Sequence, residues 1–476
     1  MKRLLVWMPV LLSTGGCATF QRQPLDEATV EEALRAVLVD SVSVLAERLG
    51  NPLLPSVRYD SSDGLSPDEA ALLAVVANPD LRAERARRGV ARAELIAAGV
   101  LPNPQLGASA DIPVRDKGAS TATSLGLSID FNVFFTRGAE VNASRAREES
   151  VRLDVAWQEW QVAQEARLQS YRQIFLERQH DLARVEADEL RSNHERLEQA
   201  ATGHLVTEVE RAAAADAYHS ARDVALQLEG ELESARLGLN RTLGFPPTTS
   251  LVVQTTDVPF LPPPGSGDGR EASPEPPALL TELAIVTDEE LLSGLQRRRL
   301  DLAALRLGYE SQEQSLRAAV LRRFPRINLG VNRVVDTSKL LTLGPAITLD
   351  LPFFDRNQGE VASARASREQ LRAEYLARVF AARADLVELR QQIGNVRRRL
   401  DNAEESLPEV QHLVDVYESA LKLRAVDALL YYDARARRTE RQLEVLRLRQ
   451  DLAELMVGVE TATGGSWSSA TEEGDR

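Results

Sequence analysis

Residues 140–146, Glu140-Val141-Asn142-Ala143-Ser144-Arg145-Ala146, recur as Glu360-Val361-Ala362-Ser363-Ala364-Arg365-Ala366, an offset of 220 residues. The segments ahead of them keep that offset: Leu127, Ile129, Phe131 and Val133 answer Ile347, Leu349, Leu351 and Phe353. Further upstream, residues 65–69 answer residues 286–290 within a residue or so. Solenoid repeats run roughly 20–50 residues, so this is a duplicated half-protein. Each half must be built from the same parts, two strands and very long helices.

The strands announce themselves by alternation. Leu106, Ala108, Ala110 and Ile112 alternate with Gln105, Gly107, Ser109 and Asp111, and the run from Leu125 to Val133 alternates with Ser124, Gly126, Ser128, Asp130 and Asn132. The second half repeats this in Ile327, Leu329 and Val331, and again in Leu343, Ile347, Leu349, Leu351 and Phe353. The period of two predicts strands over 105–112, 124–133, 326–335 and 342–353. Each is roughly ten residues, the length that crosses a bilayer when tilted. A half-buried sheet of a water-soluble domain could alternate in the same way. The long, almost purely helical stretch between the two pairs, and a polar face of small residues, favour a wall between lipid and water.

Helical hairpins are expected over 138–243 and 359–459. Residues 139–202 contain neither Pro nor Gly. Breaks fall at Gly203-His204-Leu205-Val206-Thr207 and at Leu423-Arg424-Ala425-Val426-Asp427, again 220 apart, and Pro408 predicts a kink. Helices this long must pack along one another. Ser66, with Pro67 and Glu69 after it, reads as the start of a helix that Asn78-Pro79-Asp80 interrupts. The resulting plan is a signal segment over 1–16, an N-terminal segment over 17–64, a first repeat over 65–245, a Pro/Gly-rich linker over 246–280, a second repeat over 281–460 and a polar tail over 461–476.

The first residues read as an export signal: Lys2-Arg3, then an apolar core from Leu4 to Leu12, then small residues up to Cys17. The core is too short to span a membrane. Cys17 is the chain's one cysteine, so it forms no internal disulfide. It reads as a lipid-attachment site, or as a small residue in an ordinary cleaved signal. Charge is high (27%), aromatics are sparse (5%) and the net charge is −14, which makes nucleic acid an unsuitable partner. No catalytic constellation stands out, and no cofactor or metal site is expected. The histidines His180, His194, His204, His219 and His412 form no metal-ligand spacing.

Four strands cannot close a barrel, and an open sheet in lipid leaves backbone groups unpaired at several kcal/mol each. Several copies must therefore pool their strands.

The order of strands and long helices, duplicated behind a lipoprotein-like signal, resembles the TolC-like outer membrane efflux family. The resemblance rests on residues 77–82 (Ala-Asn-Pro-Asp-Leu-Arg), 101–104 (Leu-Pro-Asn-Pro), 324–327 (Phe-Pro-Arg-Ile) and above all 351–359 (Leu-Pro-Phe-Phe-Asp-Arg-Asn-Gln-Gly), whose form is that of the heavy-metal, CzcC-like branch. It implies an α+β membrane protein: a homotrimer with a twelve-stranded outer-membrane barrel and a periplasmic α-helical barrel. The implied partners are outer membrane lipids, a periplasmic adaptor (membrane fusion) protein and an inner-membrane RND-type pump, and the duct passes heavy-metal cations without catalysis. A duct for drugs or secreted protein shares this fold. A periplasmic coiled-coil adaptor or scaffold is the rival from another class.

Carried over by position, the adaptor-docking tips are Gly203, His204, Leu205, Val206, Thr207, Arg424, Ala425, Val426 and Asp427. Leu423 stands where the family's second tip glycine is expected. Asp427 matches an acidic ring at the periplasmic entrance, and serves equally as a helix-starting residue; Leu430 replaces a second acid.

Overall fold

The duplication can be followed through the folded chain at the ends of its helices. A computed structural model describes residues 22–34, 53, 64–114, 120–202, 206–254, 258–261 and 292–465. Cys17, Gly203, His204, Leu205, the linker beyond residue 261, the repeated residues 286–290 and the tail beyond residue 465 lie outside the described residues. The chain divides into two units, Met1–Ser41 and Val42–Arg476. In the first, helix α1 spans Glu27–Leu34, and Asp26 accepts a hydrogen bond from the Thr29 amide at its start (2.9 Å).

In the second unit, α2 (Pro67–Ala77) begins with a reciprocal capping box. Ser66 Oγ accepts from the Glu69 amide (3.3 Å), while Glu69 Oε2 accepts from the Ser66 amide (2.9 Å). Helix α3 (Pro79–Gly99) follows at once, because Asn78 Oδ1 accepts from the amides of Asp80 and Leu81 (2.9 and 3.1 Å). Strands β1 (Gln105–Asp111) and β2 (Ala122–Asp130) lead into α4 (Val133–Ala201) and α5 (Glu208–Leu243). The second half supplies α6 (Leu295–Arg298), α7 (Leu300–Leu321), β3 (Arg326–Val335), β4 (Leu341–Asp350), α8 (Gln358–Lys422) and α9 (Ala428–Thr463). At 69 residues, α4 is about 100 Å long.

The two halves agree in detail. Helices α5 and α9 each have 36 residues, and each ends on a left-handed glycine, Gly244 (φ 73°) and Gly464 (φ 77°). Both glycines are pressed by backbone: a Cβ would stand 2.9 Å from the Ala77 carbonyl oxygen in one case and 3.0 Å from that of Arg298 in the other. Before each glycine, the residue heading the opposite helix reaches across. Asn78 Nδ2 donates to the Thr242 carbonyl (2.9 Å), and Arg299 Nη1 to the Ala462 carbonyl (3.4 Å). Arg299 is buried, and its charge is answered by Asp301 (3.0 and 2.7 Å) and by the face of Trp157, 4.9 Å away.

The strands form one antiparallel sheet in the order β1-β2-β3-β4, so the two hairpins join through β2 and β3. The helices follow the same order. Helix α3 packs on α4, α4 on α7, and α7 on α8. Ser150 Oγ donates to the Ala304 carbonyl (2.7 Å) and Ser311 Oγ to that of Ala143 (2.8 Å), joining α4 to α7. Leu316, Ala319, Val361 and Ala364 bury the contact of α7 with α8. No described helix is long and apolar enough to cross a membrane.

The strand-to-helix junctions differ most from the sequence expectation. The alternation predicts strand to Val133, but β2 stops at Asp130 and α4 begins at Val133, five residues before the expected start. Asp130 Oδ1 accepts from the Asn132 amide (2.9 Å), turning the chain. The fourth strand ends at Asp350, short of Phe353, with Pro352 unable to donate to a ladder. Helix α8 continues as one helix through the exposed Pro408, the position where a kink is expected.

Candidate functional site

The sheet gathers its apolar residues on one face. Leu106, Leu127, Val331 and Pro345 stand in one cross-strand row, and Ile129, Leu329 and Ile347 in the next. Partners directly opposite share a face, so these rows form one continuous surface. Leu106 is 70% exposed, Leu343 73% and Ile347 67%. The other face carries Ser109, Ser124, Ser128, Asp130, Asn328, Asn332, Thr348 and Asp350. There Ser109 and Ser124 share a hydrogen bond between their hydroxyls (2.8 Å). Gly330 is required by close approach: a Cβ would lie 2.6 Å from the Leu127 carbonyl oxygen and 3.0 Å from Ser128 Cβ. Large apolar groups on one exposed face and small polar ones on the other is the division that a wall between lipid and water requires.

Where strands become helices, exposed phenylalanines collect. Phe131 sits 5.2 Å from Phe134 and 5.7 Å from Phe135, ring centre to ring centre. Phe324, Phe353 and Phe354 are exposed at the neighbouring junctions. Two asparagines hold these junctions together. Asn132 Oδ1 accepts from the Ile327 amide (3.1 Å) and its Nδ2 donates to the Pro325 carbonyl (3.2 Å), while Asn357 Nδ2 donates to the Ala319 carbonyl (2.9 Å). The band of rings therefore borders the apolar face on its helical side, as an aromatic girdle borders a barrel. Sequence reading missed it, although the ring positions are plain in the chain.

At the far end the two helical corners come together. Thr207 caps α5: its Oγ1 accepts from the Glu210 amide (3.2 Å), and Glu210 Oε2 accepts from the Thr207 amide (2.7 Å). These bonds, with the Arg424 charge from the other corner, hold the Glu210 carboxyl below its usual range. Arg424 takes a left-handed backbone (φ 54°), and the chain re-enters helix at Asp427. Asp427 Oδ1 accepts from the Leu429 amide (3.2 Å), so the structure gives it the helix-starting role, with its side chain exposed. Of the other tip residues, Val206 is partly covered and Ala425 is exposed.

Behind the corners lies a buried charge cluster that periodicity did not disclose. Arg435 of α9 grips Glu186 of α4 through two bonds (2.9 and 2.7 Å) and reaches Glu189 (2.7 Å), while Arg438 adds a contact to Glu186 (2.8 Å). Burial pulls the Arg435 guanidinium down, but Glu186 outweighs it and the group stays charged, above its ordinary range. Asn193 Nδ2 donates to Tyr432 Oη (2.6 Å), beside an apolar cluster of Leu190, Ala213, Ala214 and Ala428. A cleft of about 500 Å³, with Leu190, Ala217, Leu429 and Tyr432 among its lining residues, opens between α4, α5 and α9.

Residues 291–465 match the model of the outer membrane efflux protein family. The cobalt-zinc-cadmium resistance protein CzcC of Cupriavidus metallidurans is 23% identical over 346 residues, covering 72% of this chain and 76% of the relative. Among solved structures, the outer-membrane channel OprN superposes with a TM-score of 0.68 at 17% identity, covering 94% of this chain and 99% of its own. CusC, described with its transmembrane channel formation, gives 0.66 at 16% identity, with coverages of 87% and 96%. The outer membrane protein VceC of Vibrio cholerae gives 0.65 at 16%, with coverages of 84% and 96%.

Proposed function

We propose that this chain, which belongs to the TolC-like outer membrane efflux family, is the outer-membrane duct of a tripartite pump that exports heavy-metal cations. The observation that carries the reading is the sheet: an exposed apolar face, bordered by phenylalanines and open at both edges, β1 and β4. Unpaired edges in hydrocarbon cost several kcal/mol per group, so the wall needs further copies. Three copies pool twelve strands into a closed barrel, and the long helices continue it into the periplasm.

The protein conducts; the pump supplies the energy. The corners at Gly203 to Thr207 and Arg424 to Asp427 meet a periplasmic adaptor, which links the duct to an inner-membrane RND-type pump. Asp427, repeated in three copies, sets three exposed carboxylates at the entrance, where they concentrate cations. The likeness to CzcC supports metal as cargo. Cys17 carries a lipid that adds a second attachment to the outer membrane.

The test is a deletion strain compared with its parent. Resistance to cobalt, zinc and cadmium falls while drug resistance holds, and a membrane fraction yields a heat-sensitive trimer. Loss of drug resistance alone reassigns the cargo. Recovery as a salt-extractable monomer removes the duct.

A further inference from the structure

Resting on the duct reading, a second inference concerns the lipid that meets the wall. The apolar face of the sheet can be followed row by row toward the hairpin turns. Beyond the row of Leu106, Leu127, Val331 and Pro345 come Ala108, Leu125, Arg333 and Leu343, and then Ala110, Thr123, Val335 and Leu341. Partners directly opposite share a face, so Arg333 stands between Leu125 (45% exposed) and Leu343. Its own side chain is exposed. It is the one charged residue on this face of the four strands.

A lone cation against hydrocarbon is costly, and its presence points to a specific anion. Among the described residues the chain offers none. The acids of the strands, Asp111, Asp130 and Asp350, lie on the other face. Asp336 in the turn between β3 and β4 is engaged by backbone, its Oδ1 accepting from the amides of Ser338 and Leu340 (2.8 and 2.9 Å). A neighbouring copy brings the same strands, and so no carboxylate on that face either. The anion is left to the membrane.

Position along the strand selects the leaflet. The helices join the sheet at Gln105, Asp130, Arg326 and Asp350, and the hairpin turns lie at the opposite end. Arg333 is about 23 Å along β3 from Arg326 and only about 7 Å from Val335, the turn-side end. An arginine lays its stem along an apolar wall and carries its guanidinium to the head-group level. With the helices in the periplasm, that level belongs to the outer leaflet, whose anions are phosphates on a glycolipid. Lys339, exposed at the tip of the same hairpin, adds positive charge there. We propose that Arg333 holds a phosphate of an outer-leaflet glycolipid, one site per copy. The planar guanidinium fork matches two phosphate oxygens at once, which gives the site its preference for that group.

The test titrates the full-length oligomer in detergent with bisphosphorylated lipid A, dephosphorylated lipid A, phosphatidylglycerol and inorganic phosphate, counting bound molecules by native mass spectrometry. The bisphosphorylated lipid is expected to bind at least tenfold more tightly than the other three. Arg333→Leu and Arg333→Gln should each lose that preference at least tenfold while still assembling, since leucine suits the face. Arg333→Lys, which keeps the charge without the fork, should fall between. Arg326→Gln removes the same charge at the helical end of β3, on the other face, and should leave the preference unchanged. Equal binding by wild type and Arg333→Leu, or of lipid A with and without phosphates, overturns the site and leaves the duct intact. Equally tight phosphatidylglycerol or inorganic phosphate overturns the glycolipid as its ligand. Failure of both the Leu and Gln variants to assemble makes Arg333 structural and overturns the proposal. A monomeric wild-type chain overturns the duct as well.

Discussion

Ile347 and Thr348 are adjacent on β4, both exposed in the single chain, and face opposite ways. Replacing each with arginine separates a lipid-facing wall from a soluble sheet. If water covered both faces, either substitution would change stability by at most about 0.5 kcal/mol. If Ile347 meets hydrocarbon, within two residues of the strand's midpoint, Ile347→Arg costs about 2–4 kcal/mol per copy. That is roughly a 30- to 700-fold shift in the membrane-assembled population. Thr348→Arg, on the face shared with Asn328, costs little and leaves its charge in a water-filled lumen. The assay is the amount of heat-sensitive oligomer in outer membranes from strains expressing each variant equally. Loss for Ile347→Arg with near-normal Thr348→Arg is expected. Equal tolerance refutes the lipid-facing assignment, and loss confined to Thr348→Arg inverts it.

Other outcomes follow from the same geometry. Gly330→Val places side-chain atoms against the Leu127 carbonyl and Ser128, so it should destabilise the sheet by about 1–3 kcal/mol, read as a lowered midpoint of oligomer dissociation on heating. Arg435→Leu leaves buried Glu186 with Arg438 alone; a loss of about 3–5 kcal/mol is expected by denaturant unfolding, with Glu186→Met/Arg435→Leu recovering much of it. Glu210 titrates low because Thr207 and Arg424 favour its charged form. Its stabilising effect is therefore complete above the ordinary glutamate range and is lost as pH falls through that range to the depressed folded value. Amide exchange at the start of α5 should rise over that acid window, and Glu210→Gln should abolish the dependence.

What the sequence determined was local and repeated. Alternation fixed which faces of β1 to β4 are apolar, because side chains on a strand switch sides at every residue. The capping pattern at Ser66, Pro67 and Glu69 is a four-residue signal, and the corners at Thr207 and Asp427 follow from helix chemistry within one turn. The 220-residue offset exposed the duplication without any knowledge of contacts.

Only the tertiary structure decided which distant pieces meet. Pairing of β2 with β3 joins residues 123–130 to residues 328–335, and neither strand carries a mark naming its partner. The grip of Arg435 on Glu186 spans 249 positions in a chain where arginines and glutamates abound, so composition could not single it out. The end of β2 at Asp130 was hidden for the same reason. The apolar rhythm continues through Phe131 and Val133; Asp130 turns the chain by accepting from the Asn132 amide, and Asn132, bonded to the distant Pro325 and Ile327, holds that turn against the neighbouring strand. Periodicity records which side of an element avoids water; the partner that covers it is chosen by packing between residues far apart in the chain.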